Sequence, residues 1–174
     1  MTREKKGRDM FERERKLYGI MLGYCKMLTD DIDDKKLADL PAAGVNHPAW
    51  ILTHLAICTD YAARLLGEPP TCPKEWHQRC GPGSTLTSER SFYASKPDLM
   101  AALEAGQARV GEAAARATDD VLRKPHGVEL AFVKNSFPTV GDLVAHLMTT
   151  HTGFHLGQLS LWRRMMGMPG VLGI

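Results

Sequence analysis

Two histidines, His151 and His155, lie four residues apart within an otherwise apolar helical pattern near the C-terminus. At about 100° per residue, positions i and i+4 of a helix lie on the same face, one above the other. Two imidazoles placed in this way can bind one divalent ion, but two ligands rarely hold an ion alone. The spacing therefore predicts a helix and a third ligand from another part of the chain.

The predicted helix runs from Thr139 to Met166, with Thr139 as the N-cap and Asp142 completing a capping box. Its apolar face includes both histidines and excludes His146. The face comprises Val140, Val144, Leu147, His151, His155, Gln158, Trp162 and Met165. Buried polar side chains need partners. A metal ion is the preferred interpretation, and two core histidines with hydrogen-bonded neighbours are the alternative.

The third ligand is expected in a helix that begins near Asn46. Asn46 is a suitable N-cap, and Pro48 suits the first helical turn. His54 then lies in the middle of an apolar face, as the C-terminal pair does. Helices that each present histidine from a buried face meet across a bundle core, where such folds build metal sites. His47 is the competing candidate, but its position at the helix start predicts greater exposure.

These two segments resemble the DinB/YfiT-like superfamily. The resemblance is carried by the run from Asn46 to His54, with Trp50 inside it, and by His151-x-x-x-His155-x-Gly157-Gln158-Leu159 followed by Arg163, Arg164 and Gly167. In that family one histidine of the second helix and two of the last helix bind a divalent metal, usually zinc or nickel. The resemblance implies His54, His151 and His155, the same set that the helical faces select.

The expected fold is all-α, a four-helix bundle of DinB/YfiT-like type with long crossover loops. The helical pattern predicts four helices, over about residues 9–29, 46–66, 95–117 and 139–166, and Ser95 is the expected cap of the third. Residues 1–174 are expected to form a single domain. The connection over residues 68–96 is unusually long, and such loops often form lids or pocket walls.

Composition and charge exclude several classes of protein. A formal net charge of +2 gives no basis for nucleic-acid binding. No apolar run approaches the roughly 20 residues that span a bilayer, and the charged N-terminus lacks a secretory apolar segment. The four cysteines have no CxxC spacing, which agrees with a cytoplasmic location. Cys58 could be a fourth ligand or a reactive thiol, but we favour a buried apolar role.

Three neutral imidazoles would leave the charge of a divalent ion uncompensated and coordination positions open, as in catalytic metal sites. DinB relatives include transferases that use low-molecular-weight thiols and proteins suggested to be metal-dependent hydrolases. The resemblance does not decide between these activities. We favour thiol-dependent S-transferase chemistry on a small electrophile. A hydrolase that uses metal-bound water and a non-catalytic metal-binding module are the alternatives.

The sequence indicates only candidate roles for the other residues near the expected site. Gln158 and Tyr61 are candidates for orienting ligands or substrate, and ordinary packing is their alternative role. Thr152 occupies the position where an HExxH metalloprotease carries its catalytic glutamate, so that chemistry is not supported. A small molecule is the expected partner, and the sequence leaves a homodimer open.

Overall fold

The computed structural model describes residues 10–173, which form helices joined by turns and loops. In chain order the α-helices are α1 (Glu12–Thr29), α2 (Pro48–Leu65), α3 (Lys74–Cys80), α4 (Lys96–Arg116), α5 (Asp119–Leu122), α6 (Ala131–Ser136), α7 (Val140–His146) and α8 (Thr152–Met165). A π-helical segment, Leu147–His151, joins α7 directly to α8. Residues 10–173 contain no strand, so the all-α prediction is confirmed. The predicted start of the first helix, at residue 9, lies outside the described residues.

The long helices contact one another in a ring. α1 packs against α4 and α8, and α2 packs against the same two helices. α8 runs antiparallel to α2, because Asn46 lies beside Gln158 and His54 lies beside His151. This arrangement places the middle of α2 against the junction between the π segment and α8. None of the helices in residues 10–173 combines the length and the apolarity that crossing a bilayer requires.

Helix α2 is buried on almost every side, rather than on the single face that was predicted. All residues from Ile51 to Asp60 are buried beneath α3, α4 and α8. The hydroxyl groups of Thr53 and Thr59 each donate, at 2.7 Å, to a backbone carbonyl about one turn earlier in α2. Because buried polar groups need partners, His54 and Asp60 must find theirs on other elements.

Two predicted N-caps are confirmed. The Ser95 hydroxyl accepts a hydrogen bond from the backbone N–H of Asp98, the third residue of α4. Thr139 and Asp142 form the predicted capping box at the start of α7. Both caps satisfy N–H groups that have no partner within the helix.

The N-cap of α2 is His47, so the prediction that Asn46 caps this helix is wrong. His47 Nδ1 accepts from the backbone N–H of Trp50 at 3.2 Å. Its Nε2 donates to the carbonyl of Thr87 at 2.8 Å. The expected exposure of His47 is also wrong, since its relative exposure is 0%. Both ring nitrogens are engaged, and His47 therefore has a structural role.

The helix that carries the C-terminal histidine pair is not the continuous α-helix that the sequence predicts. The π segment inserts an extra residue into one turn, which rotates every position after it. Met148 is fully buried, whereas Gln158 and Met165, members of the predicted face, are exposed. The histidine pair consequently lies at the edge of the buried face and is half-buried.

The connection over residues 68–96 is ordered, and α3 forms its central part. A 3-10 turn at Arg90–Phe92 follows, and the Arg90 guanidinium donates to Asp34 at 2.7 Å and to the carbonyl of Ala94 at 2.9 Å. α3 packs directly on α2. The connection therefore covers the side of α2 from which His54 is held.

Gly106 of α4 lies where α2 and α4 approach most closely. A Cβ at this position would lie 2.0 Å from Thr59 Oγ1 and 2.7 Å from Thr59 Cβ. We expect Gly106→Ala to lower the free energy of unfolding by about 1–3 kcal/mol through overpacking, measured by chemical denaturation. Gly23→Ala is the control: with nothing within 4 Å, it should stabilise α1 by about 0.5–1 kcal/mol. Equal effects would contradict the close contact.

Candidate metal centre

The three predicted ligands converge from two helical segments. His54 lies in the middle of α2, His151 ends the π segment, and His155 lies in the first turn of α8. The centroids of the three rings are 4.6 to 5.2 Å apart. The Nε2 atoms of His54 and His151 are 3.3 Å apart, and each ring has a nitrogen within 4.8 Å of the other two.

The π segment directs its own last residue and the first turn of α8 towards α2. Thr152 Oγ1 donates at 2.9 Å to the carbonyl of Leu147, five residues earlier. Thr149 Oγ1 donates at 2.6 Å to the carbonyl of Ala145. These hydroxyl groups satisfy carbonyls in the widened turn. Single π turns inside α-helices occur frequently at functional sites.

The outer nitrogen of His54, Nδ1, which faces away from the other two histidines, determines the tautomer of the ring. His54 Nδ1 lies 2.7 Å from the carbonyl oxygen of Cys80, at the end of α3. A carbonyl can only accept, so Nδ1 carries the proton, and Nε2 of the neutral ring carries a lone pair. The lone pair of His54 therefore faces the other two histidines.

The outer nitrogen of His155 is held by Gln158. His155 Nδ1 lies 3.0 Å from Gln158 Oε1, which also accepts from Asn46 Nδ2 at 3.1 Å. An amide oxygen can only accept hydrogen bonds, so His155 Nδ1 donates to Gln158 Oε1. His155 Nε2 then carries the lone pair and is free to bind an ion. Metal-binding histidines usually have a partner of this kind. The placement of Gln158 is consistent with the predicted orienting role.

The outer nitrogen of His151 has no hydrogen-bond partner among the described residues, although it is buried. Without an ion, His151 Nε2 can donate to the lone pair of His54, which leaves Nδ1 as a buried, unpaired acceptor. Binding of an ion by Nε2 requires the other tautomer. His151 is thus the ring of the cluster whose hydrogen bonding is least satisfied by protein groups.

All three imidazoles are neutral at physiological pH. Burial lowers the pKa of His54. Burial, and then the neighbouring histidines, lower the pKa of His151 to about 3. Burial and His54 lower the pKa of His155 to about 4. Since metal ions bind neutral imidazole, the cluster is prepared to bind a cation without first releasing protons.

The donor set fits a divalent transition-metal ion. A tetrahedral ion with zinc-to-nitrogen bonds of 2.0–2.1 Å places its nitrogen ligands about 3.3 Å apart. The separation of the Nε2 atoms of His54 and His151 is 3.3 Å. Imidazole suits zinc, nickel and copper better than magnesium or calcium. Three such ligands leave at least one coordination position for another molecule.

Two nearby side chains are not part of the three-histidine group. Cys58 Sγ lies 3.5 Å from His54 Nε2, and in the metal-free protein burial raises the pKa of this thiol, so it acts there as a weak donor. His146 stacks on Phe137 with centroids 4.0 Å apart, and its Nδ1 bonds to Thr150 Oγ1 at 2.6 Å. The His146 ring also meets the His151 ring edge-on, with centroids 5.6 Å apart, and its exclusion from the ligands stays a prediction.

Aromatic rings surround the centre unevenly. Trp50 stacks on His54, with centroids 4.7 Å apart and planes inclined by 8°. Trp50 Nε1 also donates to Ser84 Oγ at 3.3 Å. Tyr61 instead packs edge-to-face against His77, with centroids 5.5 Å apart. Trp50 therefore forms one wall of the centre, and an orienting role for Tyr61 stays a prediction.

Comparison with protein-family models provides separate evidence. Residues 24–159 match the model of the DinB superfamily, and this span includes all three histidines and Gln158. The chain belongs to the DinB superfamily. The predicted membership is confirmed. No curated protein and no solved structure matches the chain.

Sequence reasoning about this DinB protein missed the groups that hold the rings. The carbonyl of Cys80 orients His54, and Asn46 supports Gln158 from the chain segment before α2. A backbone carbonyl carries no residue-specific pattern, so no motif would have identified Cys80. Asn46 was considered only as a helix cap, because its partner is distant in the sequence.

The lowered histidine pKa values of this DinB protein predict metal affinity that is insensitive to mild acid. Histidines with unshifted pKa values near 6.5 would each lose about tenfold in affinity at pH 5.5, because protons compete for the ring nitrogen. His151 and His155 have pKa values of about 3 and 4. Since the pKa of His54 is also lowered, we expect Co²⁺ affinity, measured by competition titration, to change by less than about tenfold from pH 7 to 5.5. A loss of two orders of magnitude would contradict these shifts.

Proposed function

We propose that this protein is a metal-dependent transferase of the DinB superfamily. In this proposal His54, His151 and His155 hold one divalent cation, zinc or nickel, and a low-molecular-weight thiol attacks a small electrophilic compound there. α1, α2, α4 and the segment from α7 to α8 are the four helices of a DinB-type bundle. The shorter helices α3, α5 and α6 belong to its connections.

The observation that carries the proposal is the absence of negative charge from the donor set. Among residues 10–173, no carboxylate belongs to the three-histidine group, and no hydrogen bond joins its rings to Asp or Glu. A divalent cation held by neutral imidazoles keeps its full charge and attracts an anionic ligand. A thiolate is an anionic ligand of this kind.

The same observation favours thiol transfer over hydrolysis. Many metal-dependent hydrolases position a carboxylate as general base beside their nucleophilic water, and the others rely on the bound metal alone to lower the pKa of that water. Thr152 follows His151, and its hydroxyl is engaged by the carbonyl of Leu147. The centre thus lacks, within the described residues, the acidic group that would activate water.

The chemistry requires little from the protein beyond binding and orientation. A divalent cation, when bound, lowers the pKa of a thiol that reaches it. Cys80 and Gln158 fix the rings of His54 and His155, and Trp50 covers the His54 ring. The thiol releases its proton to solvent, its sulfur forms a bond to the electrophilic carbon, and the leaving group departs with the electron pair of the broken bond.

A thiol substrate also agrees with the state of the cysteines. Cys25, Cys58, Cys72 and Cys80 are all unpaired thiols. Small thiols and unpaired cysteines both persist in a reducing compartment. We therefore include a cytoplasmic location in the proposal.

Tag-free protein should bind about one divalent ion per chain. We expect His151→Ala to lose most of this metal, because two imidazoles rarely hold an ion. His146→Ala is the matched control on the same helical segment and should keep its metal, since His146 lies outside the three-histidine group and its ring meets that of His151 only edge-to-face. Elemental analysis of dialysed protein measures both. Equal metal loss in the two variants would show that the ligands are assigned wrongly.

Binding of a thiol at the centre should be visible by absorption spectroscopy. Titration of cobalt- or nickel-substituted protein with a small thiol should produce a thiolate-to-metal charge-transfer band. His54→Ala should abolish this band. Turnover of an epoxide or halide-bearing compound should then require both metal and thiol. Turnover of esters or amides without any thiol, and no band, would instead identify a hydrolase.

A further inference from the structure

Asp60 is a fully buried carboxylate in α2, six residues after His54, and its side chain has a relative exposure of 0%. It does not belong to the three-histidine group. Burial of an unpaired carboxylate is very costly, so its partners must be strong hydrogen-bond donors. The identity of these partners indicates what Asp60 does.

Five donors from three parts of the chain surround the carboxylate. The first group lies just before α3: the backbone N–H of Thr71 at 2.9 Å, its hydroxyl at 3.2 Å, and the backbone N–H of Cys72 at 2.8 Å. His77 Nε2 donates at 3.1 Å from within α3, and Arg109 donates from α4. Burial alone would raise the pKa of Asp60, but these hydrogen bonds lower it to about 2.

Most of these bonds fix α3 and the chain that enters it. α3 has only 7 residues, and helices this short are not stable without tertiary contacts. Asp60 binds α3 near its centre through His77, and Tyr61 packs edge-to-face on the same imidazole. The bond between Asp60 and His77 is therefore one of the contacts that fix α3 on α2.

The end of α3 contacts the metal centre directly. Cys80 is its last residue, so its carbonyl has no partner within the helix. This carbonyl accepts from His54 Nδ1 at 2.7 Å. Gly81 follows, and a Cβ there would lie 2.5 Å from the carbonyl oxygen of His77. The chain thus turns tightly at the point that orients the His54 ring.

We propose that Asp60 is a positioning residue for the metal centre. By binding His77 it fixes α3, and α3 places the Cys80 carbonyl that holds the tautomer and the rotation of His54. The part of this inference that concerns metal affinity rests on the proposed function. The part that concerns the His54 tautomer does not. Loss of groups that orient metal-binding histidines typically lowers metal affinity by 10-fold to 100-fold.

The test compares one variant, His77→Phe, with one control. Asp60→Asn removes the charge, but it also leaves the largely buried positive charge of Arg109 uncompensated and risks unfolding the protein. His77→Phe is the sharper variant, because it keeps the aromatic contact with Tyr61 and removes only the donor to Asp60. Val110→Ala is the control: Val110 is fully buried in α4, within a hydrophobic cluster that includes Tyr18 and Val144 but no residue of α3, so the change destabilises the protein without touching α3.

Two measurements are made on the full-length protein. Long-range ¹⁵N–¹H NMR of the metal-free protein reports the tautomer of His54, and titration reports its Kd for Co²⁺. We expect His77→Phe to lose the fixed Nδ1–H tautomer and to raise the Kd by about 10-fold to 100-fold. Val110→Ala should change neither. An unchanged tautomer and Kd in His77→Phe, or equal changes in Val110→Ala, would overturn the inference.

The two proposals fail in different ways. If the wild-type protein bound no Co²⁺, the proposed function would be wrong, while the tautomer measurement on metal-free protein would still decide the role of Asp60. If wild type and His77→Phe bound Co²⁺ equally and kept the same tautomer, the metal centre would stand and the positioning role would be refuted.

Discussion

The buried polar groups of α2 impose the constraint on which the surrounding structure depends. This helix is covered by α3, α4 and α8, and it carries His54 and Asp60 into the buried interior. Each group must be paired there, because an unpaired buried charge or imidazole destabilises the fold. Asp60 is paired mainly by α3 and the chain before it, and His54 by the end of α3 and by His151.

The need to pair buried polar groups also explains why the centre consists of neutral imidazoles. The protein satisfies the outer nitrogens of His54 and His155 with a carbonyl and an amide oxygen, neither of which carries charge. The inner nitrogens of His54 and His155 therefore carry lone pairs that are directed at the centre of the cluster. The π segment places His151 and His155 at the edge of the buried face rather than within it. The centre is sheltered enough to lower the pKa values of its histidines, while the rings of His151 and His155 stay partly exposed.

Patterns that depend on neighbouring residues predicted much of the fold. The helices, the caps at Ser95 and Thr139, and the pairing of His151 with His155 follow from interactions within a few residues of the chain. The buried faces of α2 and of the C-terminal helix, predicted with a constant 100° per residue, differ from those in the structure. Met148 replaces Leu147 on the buried face because the π turn adds a residue, and α2 shows no single face because three helices cover it.

The sequence by itself determined an all-α chain, membership of the DinB superfamily, and the three histidines that meet in space. Local spacing and helical periodicity carry that information. Only the tertiary structure decided that His47 caps α2, that Asn46 supports Gln158, and that Asp60 and the Cys80 carbonyl hold His54 through α3. These bonds join residues far apart in the chain, and some use backbone atoms that every residue possesses, so no residue pattern specifies them.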